Sequence, residues 1–204
     1  MRGSAAAAFL AIALGVAAQE GPYEKRADIP QAVYGHGGAV VGGKYHALGG
    51  CPTPDWTKAG THHQVYDPAA DKWSKAADLP VELGWPMPAV HKGKIYLFGG
   101  QREGARATDK AHVYDPAADK WSPTRNLPKT ITNGFAVAFG DQIYLGLGYN
   151  RQGPKYGKRG GKDVPEQYLE TWRYDPAADT YTRVADAPEH GIYCAVGAMV
   201  SKTK

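Results

Sequence analysis

The chain has 204 residues, of which 43% are hydrophobic and 22% charged, and its formal net charge is only +4. That balance excludes a disordered polar tail, and the weak basic excess does not point to nucleic acid. With 26 Gly, 15 Pro and 13 Tyr and no long helical periodicity, the composition reads as all-β, many short strands joined by tight turns.

In chain order, the first element is an export signal. Arg2 is the lone charge before an apolar run of 14 residues, "AAAAFLAIALGVAA", which ends in small residues ahead of "QEGPYEKR". This is the layout of a secretory signal peptide, and the run falls short of the roughly 20 apolar residues of a membrane span. Residues 1–18 are therefore expected to be removed, leaving 19–204 as a secreted or periplasmic domain with no membrane span.

The remainder is built on a repeat. "YDPAADKW" occurs at Tyr66 to Trp73 and again at Tyr114 to Trp121, and "YDPAADTY" runs from Tyr174 to Tyr181. Each tyrosine stands fourteen positions before a proline (Pro80, Pro128, Pro188), and Pro30, Pro80 and Pro128 each stand twenty before a glycine (Gly50, Gly100, Gly148). Within that frame "VVGGKYHALGG", "VHKGKIYLFGG" and "AFGDQIYLGLG" read as β-hairpins with glycine-containing turns. A third strand ends at the repeated tyrosine, and the Asp-Pro-Ala-Ala-Asp turn leads into a fourth opened by Trp73, Trp121 or Tyr181. Asp67, Asp115 and Asp175 are expected to accept bonds from turn amides while the prolines preset φ. The repeats span about 31–80, 81–128 and 129–188. A single fourth strand is expected at 23–30 and a single first strand at 191–200.

One four-stranded sheet with two apolar faces cannot bury both, so neighbouring repeats must supply the core. A glycine doublet after an Ile-Tyr strand, the "YDP" turn, then Trp and "LP" at a period of about 50 resembles the kelch repeat. Gly49 with Gly50 and Gly99 with Gly100 match its doublet. The third copy departs from it at Gly146, Leu147 and Gly148 and at Tyr181. The resemblance implies a kelch-type β-propeller with three complete blades and single strands at each end, an incomplete or unusually small ring. A truncated longer propeller is the leading expectation; a ring completed by self-association, or a four-bladed ring with one defective blade, is the alternative.

The resemblance also implies where function sits, on the face that gathers the inter-repeat linkers and the loops from second to third strand. The linkers contribute Tyr34, His36, Trp85, Asn133 and Tyr193. The loops contribute Arg102, Glu103 and Arg106 in "QREGARATDK", and Arg151, Lys155, Tyr156, Lys158 and Arg159 in the longest, "YNRQGPKYGKRGGKDVPEQ". Cations interleaved with aromatic rings suit an anionic or sugar ligand, through bidentate guanidinium bonds and ring stacking. For Arg102, Glu103 and Arg106 the simpler account is mutual charge pairing at the surface. The expected function is an exported binding module for a protein or glycan. Kelch propellers that are enzymes imply the alternative of a sugar mutarotase or epimerase, for which Glu103 and His36 are the acid and base candidates; a non-functional fragment is the third reading. A copper site of the galactose-oxidase kind does not map onto this sequence. No cofactor and no metal are expected, since adjacent His62 and His63 point to opposite faces of an extended segment. Cys51 and Cys194 should lie near the same face, and an oxidising compartment would allow a disulfide between them.

Export through the leading segment predicts that the mature protein starts near Gln19. Intact mass and N-terminal sequencing of the exported product check this, and a product that keeps Met1 to Ala18 would overturn it.

Overall fold

The computed structural model describes residues 24–54, 58–159 and 162–186. Three four-stranded antiparallel sheets follow one another. The first holds β1 (Gly37–Val41), β2 (Lys44–Leu48), β3 (His63–Asp67) and β4 (Lys72–Lys75). The second holds β5 (Met87–His91), β6 (Lys94–Phe98), β9 (Ala111–Asp115) and β10 (Lys120–Pro123); a two-stranded hairpin, β7 (Gln101–Arg102) with β8 (Arg106–Ala107), rises from its second-to-third connection. The third holds β11 (Phe135–Phe139), β12 (Gln142–Arg159), β13 (Lys162–Asp175) and β14 (Thr180–Arg183). Among the described residues the only helical piece is the 3-10 turn Glu103–Ala105, and no helix is long and apolar enough to cross a membrane.

The repeat frame is the pairing register. Tyr66 lies opposite Trp73, Tyr114 opposite Trp121 and Tyr174 opposite Tyr181. The β1–β2 and β5–β6 hairpins close on Gly42–Gly43 and Lys92–Gly93, all with positive φ, as a two-residue turn matched to strand twist requires. The first aspartate of each turn accepts amide bonds as expected: Ala69 N–H donates to Asp67 Oδ1 at 3.0 Å, Ala117 N–H to Asp115 at 3.0 Å and Ala177 N–H to Asp175 at 2.9 Å. Lys44 and Lys94 then pair with Asp67 and Asp115 at 3.0 and 2.8 Å.

The sheets stack through two apolar layers. Leu48 and Ala39 of the first sheet meet Ile95, Leu97 and Tyr114 of the second, with Leu79 and Leu83 of the linker between them. On its other face the second sheet lays Met87, Ala89 and Phe98 against Ile143, Leu145 and Tyr174 of the third, with Leu127 and Ile131 as linker residues. Each fully buried Leu, Ile or Phe contributes about 1.5–3 kcal/mol, so these layers dominate the cohesion between blades. The glycine doublets let the linkers approach: a Cβ on Gly49 would sit 2.1 Å from Leu83 O, and one on Gly99 2.4 Å from Ile131 O. Gly50 and Gly100 donate their amides to those same two carbonyls. At the matching third position Leu147 takes φ 50°.

The second aspartate of the turn joins blade to blade. Asp119 Oδ1 accepts the Ala77 amide of the preceding linker at 2.8 Å and its own blade's Tyr114 hydroxyl at 2.7 Å, while Trp121 Nε1–H donates to Ala77 O at 3.0 Å. Asp71, Tyr66 and Trp73 hold Ala27 in the same way, at 2.9, 2.6 and 2.9 Å. Asp179, Tyr174 and Tyr181 hold Arg125, and the Tyr181 hydroxyl, donating to Arg125 O at 3.0 Å, replaces the indole. Asp71 and Asp119 are held below the usual carboxylate range, first by the amide each accepts and then by the tyrosine hydroxyl.

Two expectations are corrected. Residues 24–30 form no strand: they belong to none of the described sheets and lie along the first blade as the clasped tail just described. The long basic segment is not a loop. It continues β12 and β13 as a ribbon with register shifts after Gly146, Asn150 and Lys155, because pairing between its two arms satisfies backbone groups that a loop would leave to water. The strand expected at 191–200 lies outside the described residues.

Removing the clasp should loosen the stack. Trp121→Phe removes the indole N–H and part of the ring's packing, so the expected loss is larger than the about 0.5–1.5 kcal/mol of one hydrogen bond. Asp119→Ala should lower the denaturation midpoint more than Asp119→Asn, whose side-chain oxygen can still accept. Equal midpoints for these two variants in urea unfolding would count against the clasp.

Candidate functional site

Because strands alternate direction, the linkers 31–36, 81–86 and 129–134 emerge on the same face as the connections from second to third strand. Each linker is tied there by a bridge to the residue after the second-strand glycines: Tyr34 with Cys51, Gly84 with Gln101 and Thr132 with Tyr149. A fourth bridge, Thr108 with Ile131, ties the far end of the β7–β8 hairpin to the next linker. The second of these connections is thus bridged at both ends.

One linker position is left-handed in every blade: Gly35 at φ 60°, Trp85 at 47° and Asn133 at 54°. For a bulky residue this is a true outlier, and such strain is kept only where neighbours enforce it. Here the Trp85 indole lies over Gly35, where an added Cβ would come within 2.3 Å of the ring, and the Trp85 amide bonds Gly35 O. Asn133 is buried and its Nδ2–H donates to the Tyr149 hydroxyl at 2.7 Å. Tyr34 is 49% exposed. His36 is half-buried, bonds the Tyr45 hydroxyl at 2.9 Å, and is pulled below the usual imidazole value by burial.

A cleft of about 660 Å³ opens beside the β7–β8 hairpin, walled by Glu82, Arg102, Glu103, Arg106, Asp109 and Lys110. Asp109 and Lys110 pair with each other at 3.7 Å. The mutual pairing expected of Arg102, Glu103 and Arg106 is absent: no ion pair within 4.0 Å joins them among the described residues.

The other candidates fall as follows. Arg151, Lys155, Tyr156, Lys158 and Arg159 sit on the outer part of β12, where Lys155 pairs with Pro165 and Lys158 with Asp163 along the backbone. The structure brings together Arg102, Glu103 and Arg106, and separately Gly35 with Trp85; no described contact joins His36 to Glu103 as an acid and base pair. Tyr193 and Cys194 lie outside the described residues, and Cys51 is buried. Sequence reasoning missed Glu82, Gln101 and Thr108, which anchor or wall the cleft. Their constant distance from the repeat prolines and glycines was the available signal.

His63 is buried and His62 partly exposed, and both border one depression beside Trp73. His63 pairs instead with His46. Its Nδ1–H donates to Ala77 O at 3.0 Å, so its Nε2 accepts from His46 Nδ1–H at 2.8 Å. The His63 ring packs 4.6 Å from Tyr114 and 5.7 Å from Trp121, between the first and second blades. Burial, with the charges of His63 and Lys44 adding, pulls His46 down to about 4, and burial also lowers His63. Among the described residues no three His, Cys, Asp or Glu side chains form a metal cluster.

The neutral histidines set the sign of an acid response. The unfolded chain takes up these protons near its ordinary histidine value of about 6.5 and the folded chain only lower. Stability contributed by the pair should be complete above pH 6.5 and fall as pH drops toward 4. Urea unfolding of the wild type against a His46→Gln/His63→Gln double variant checks this. The wild type should lose more stability across that window, and parallel curves would refute the assignment.

Comparison with known proteins gives a consistent picture. Residues 88–128 match the family model described as the Kelch motif. The chain is 34% identical over 86 residues to Kelch-like protein 35 of Homo sapiens, covering 42% of this chain and 14% of that protein. It is 36% identical over 85 residues to Kelch-like protein terF of Aspergillus terreus, covering 39% and 18%. Kelch-like protein 6 of Homo sapiens is 37% identical over 73 residues, covering 36% and 11%. The chain thus spans less than a fifth of the length of these relatives. Among solved structures, that of YjhT superposes with a TM-score of 0.68 at 16% identity, covering 82% of this chain and 59% of that one.

Proposed function

We propose that the chain, which carries a Kelch motif at residues 88–128 and superposes on a solved structure with a TM-score of 0.68, is an exported interaction module that takes a protein segment on its linker face. The observation that carries this reading is a contrast. The turn and its clasp recur in all three blades and the glycine doublet in the first two, whereas the second-to-third connections on the opposite end are unlike: the second carries a short hairpin and the third a long ribbon. Rigid scaffolds with dissimilar loops on one face are built for recognition. The left-handed Trp85 and Asn133 lie on that same face, as does the exposed Tyr34. Export rests on the leading apolar segment.

A random-peptide display library selected on the immobilised full chain tests the reading, with hydrogen exchange to locate the bound peptide. Enriched peptides should protect amides of linkers 31–36, 81–86 and 129–134 or of the β7–β8 hairpin. Failure to enrich any peptide, or protection confined to the Asp-Pro-Ala-Ala-Asp turns, would overturn it; enrichment on a glycan array instead would move the ligand class to sugars.

A further inference from the structure

The β7–β8 hairpin sets two arginines directly opposite each other, Arg102 across from Arg106. Opposed residues of an antiparallel pair share a face, with Cβ atoms about 4.5–5.5 Å apart, and like charges there destabilise the pair. Both side chains are exposed. No carboxylate lies within 4.0 Å of either guanidinium among the described residues. The arrangement is nonetheless held rigidly. Gln101, one residue before Arg102, is 2% exposed and bridged to Gly84; Thr108, two residues after Arg106, is 6% exposed and bridged to Ile131. Gly104 at φ 68° closes the turn between them. A repulsive pair fixed at both ends on the wall of a cleft calls for an anion from outside.

The cleft also says which kind. Glu82 and Glu103 wall it too, and neither has an ion pair among the described residues. A free dianion such as phosphate would meet their repulsion, and an acidic sugar brings no cation to answer them. We propose that Arg102 and Arg106 together seat one side-chain carboxylate of a partner protein segment, and that Glu82 and Glu103 take a basic residue adjacent to it in that segment. This rests on the reading of the linker face as a peptide-binding surface, and it specifies the partner as a segment carrying neighbouring acidic and basic residues. Two guanidiniums on one carboxylate give charge-assisted bonds with planar geometry that lysines cannot match.

The enriched peptides of the selection above supply the probe. They should carry Asp or Glu beside Lys or Arg. Arg102→Gln and Arg106→Gln should each weaken their binding by about tenfold or more, as loss of a charge-assisted bond implies, and Arg→Lys at either position should restore only part. Added salt should weaken binding of the wild type more than of the double Arg102→Gln/Arg106→Gln variant. A structural role for the arginines would lower the thermal midpoint of that double variant, whereas relief of the opposed charges leaves it unchanged or raises it. Enriched peptides without an acidic residue, or binding indifferent to both arginines, would overturn this assignment while leaving the binding face in place. Competition by inorganic phosphate at concentrations below the peptide's own would also overturn it, in favour of a small-anion site. No enriched peptide at all would remove the binding face and this assignment together.

Discussion

A single carboxylate oxygen accepting two hydrogen bonds, one from its own sheet and one from the tail of the sheet before, is the contact on which the architecture turns. Asp71, Asp119 and Asp179 each sit at positive φ at the end of the repeated turn. That backbone aims the side chain away from the hairpin toward the preceding tail. The tyrosine hydroxyl fixes the carboxylate from inside the blade, and the amide of Ala27, Ala77 or Arg125 reaches it from outside. The apolar layers supply most of the attraction between blades. They are non-directional, however, and the clasp sets the angle and register at which they meet.

Given that angle, the rest follows. Linker carbonyls at Leu83 and Ile131 come down onto the glycine doublets, where no side chain could stand. The bridges just beyond carry the linkers across the face that gathers the second-to-third connections. The His46–His63 pair belongs to the same joint between the first two blades, because Ala77 O accepts from both His63 and Trp121. The second joint has Ala111 where the first has His63, so this imidazole pair belongs to the first joint.

Much of this was legible in the sequence for a physical reason. The Asp-Pro-Ala-Ala-Asp turn and the hairpin glycines act locally, so their identity fixes conformation wherever they occur, and constant spacing carries the strand register with them. What was not legible depends on partners distant in the chain. Residues 24–30 have the composition of a fourth strand, but a strand exists only with a neighbour, and here they serve as a tail. The Gly, Pro and Lys of residues 149–167 read as a loop, yet two arms of similar length pair with each other and override weak local preference. The left-handed Trp85 and Asn133 carry no composition signal, since neither residue type demands that conformation. The second aspartate was visible three times over, but its bond crosses 42 residues to Ala77, and nothing local announces it. Of the site residues, the linker and hairpin positions were found from register alone, while the unneutralised state of Arg102 and Arg106 required the hairpin's geometry.

The tail at residues 24–30 has a consequence for how the first blade holds its clasp. The Asp71 and Trp73 socket is filled by Ala27 of the same chain, just as Ala77 fills the Asp119 and Trp121 socket of the next blade. A tethered occupant acts at an effective concentration that a free chain seldom reaches. A free segment that seeks this clasp must therefore first displace residues 24–30.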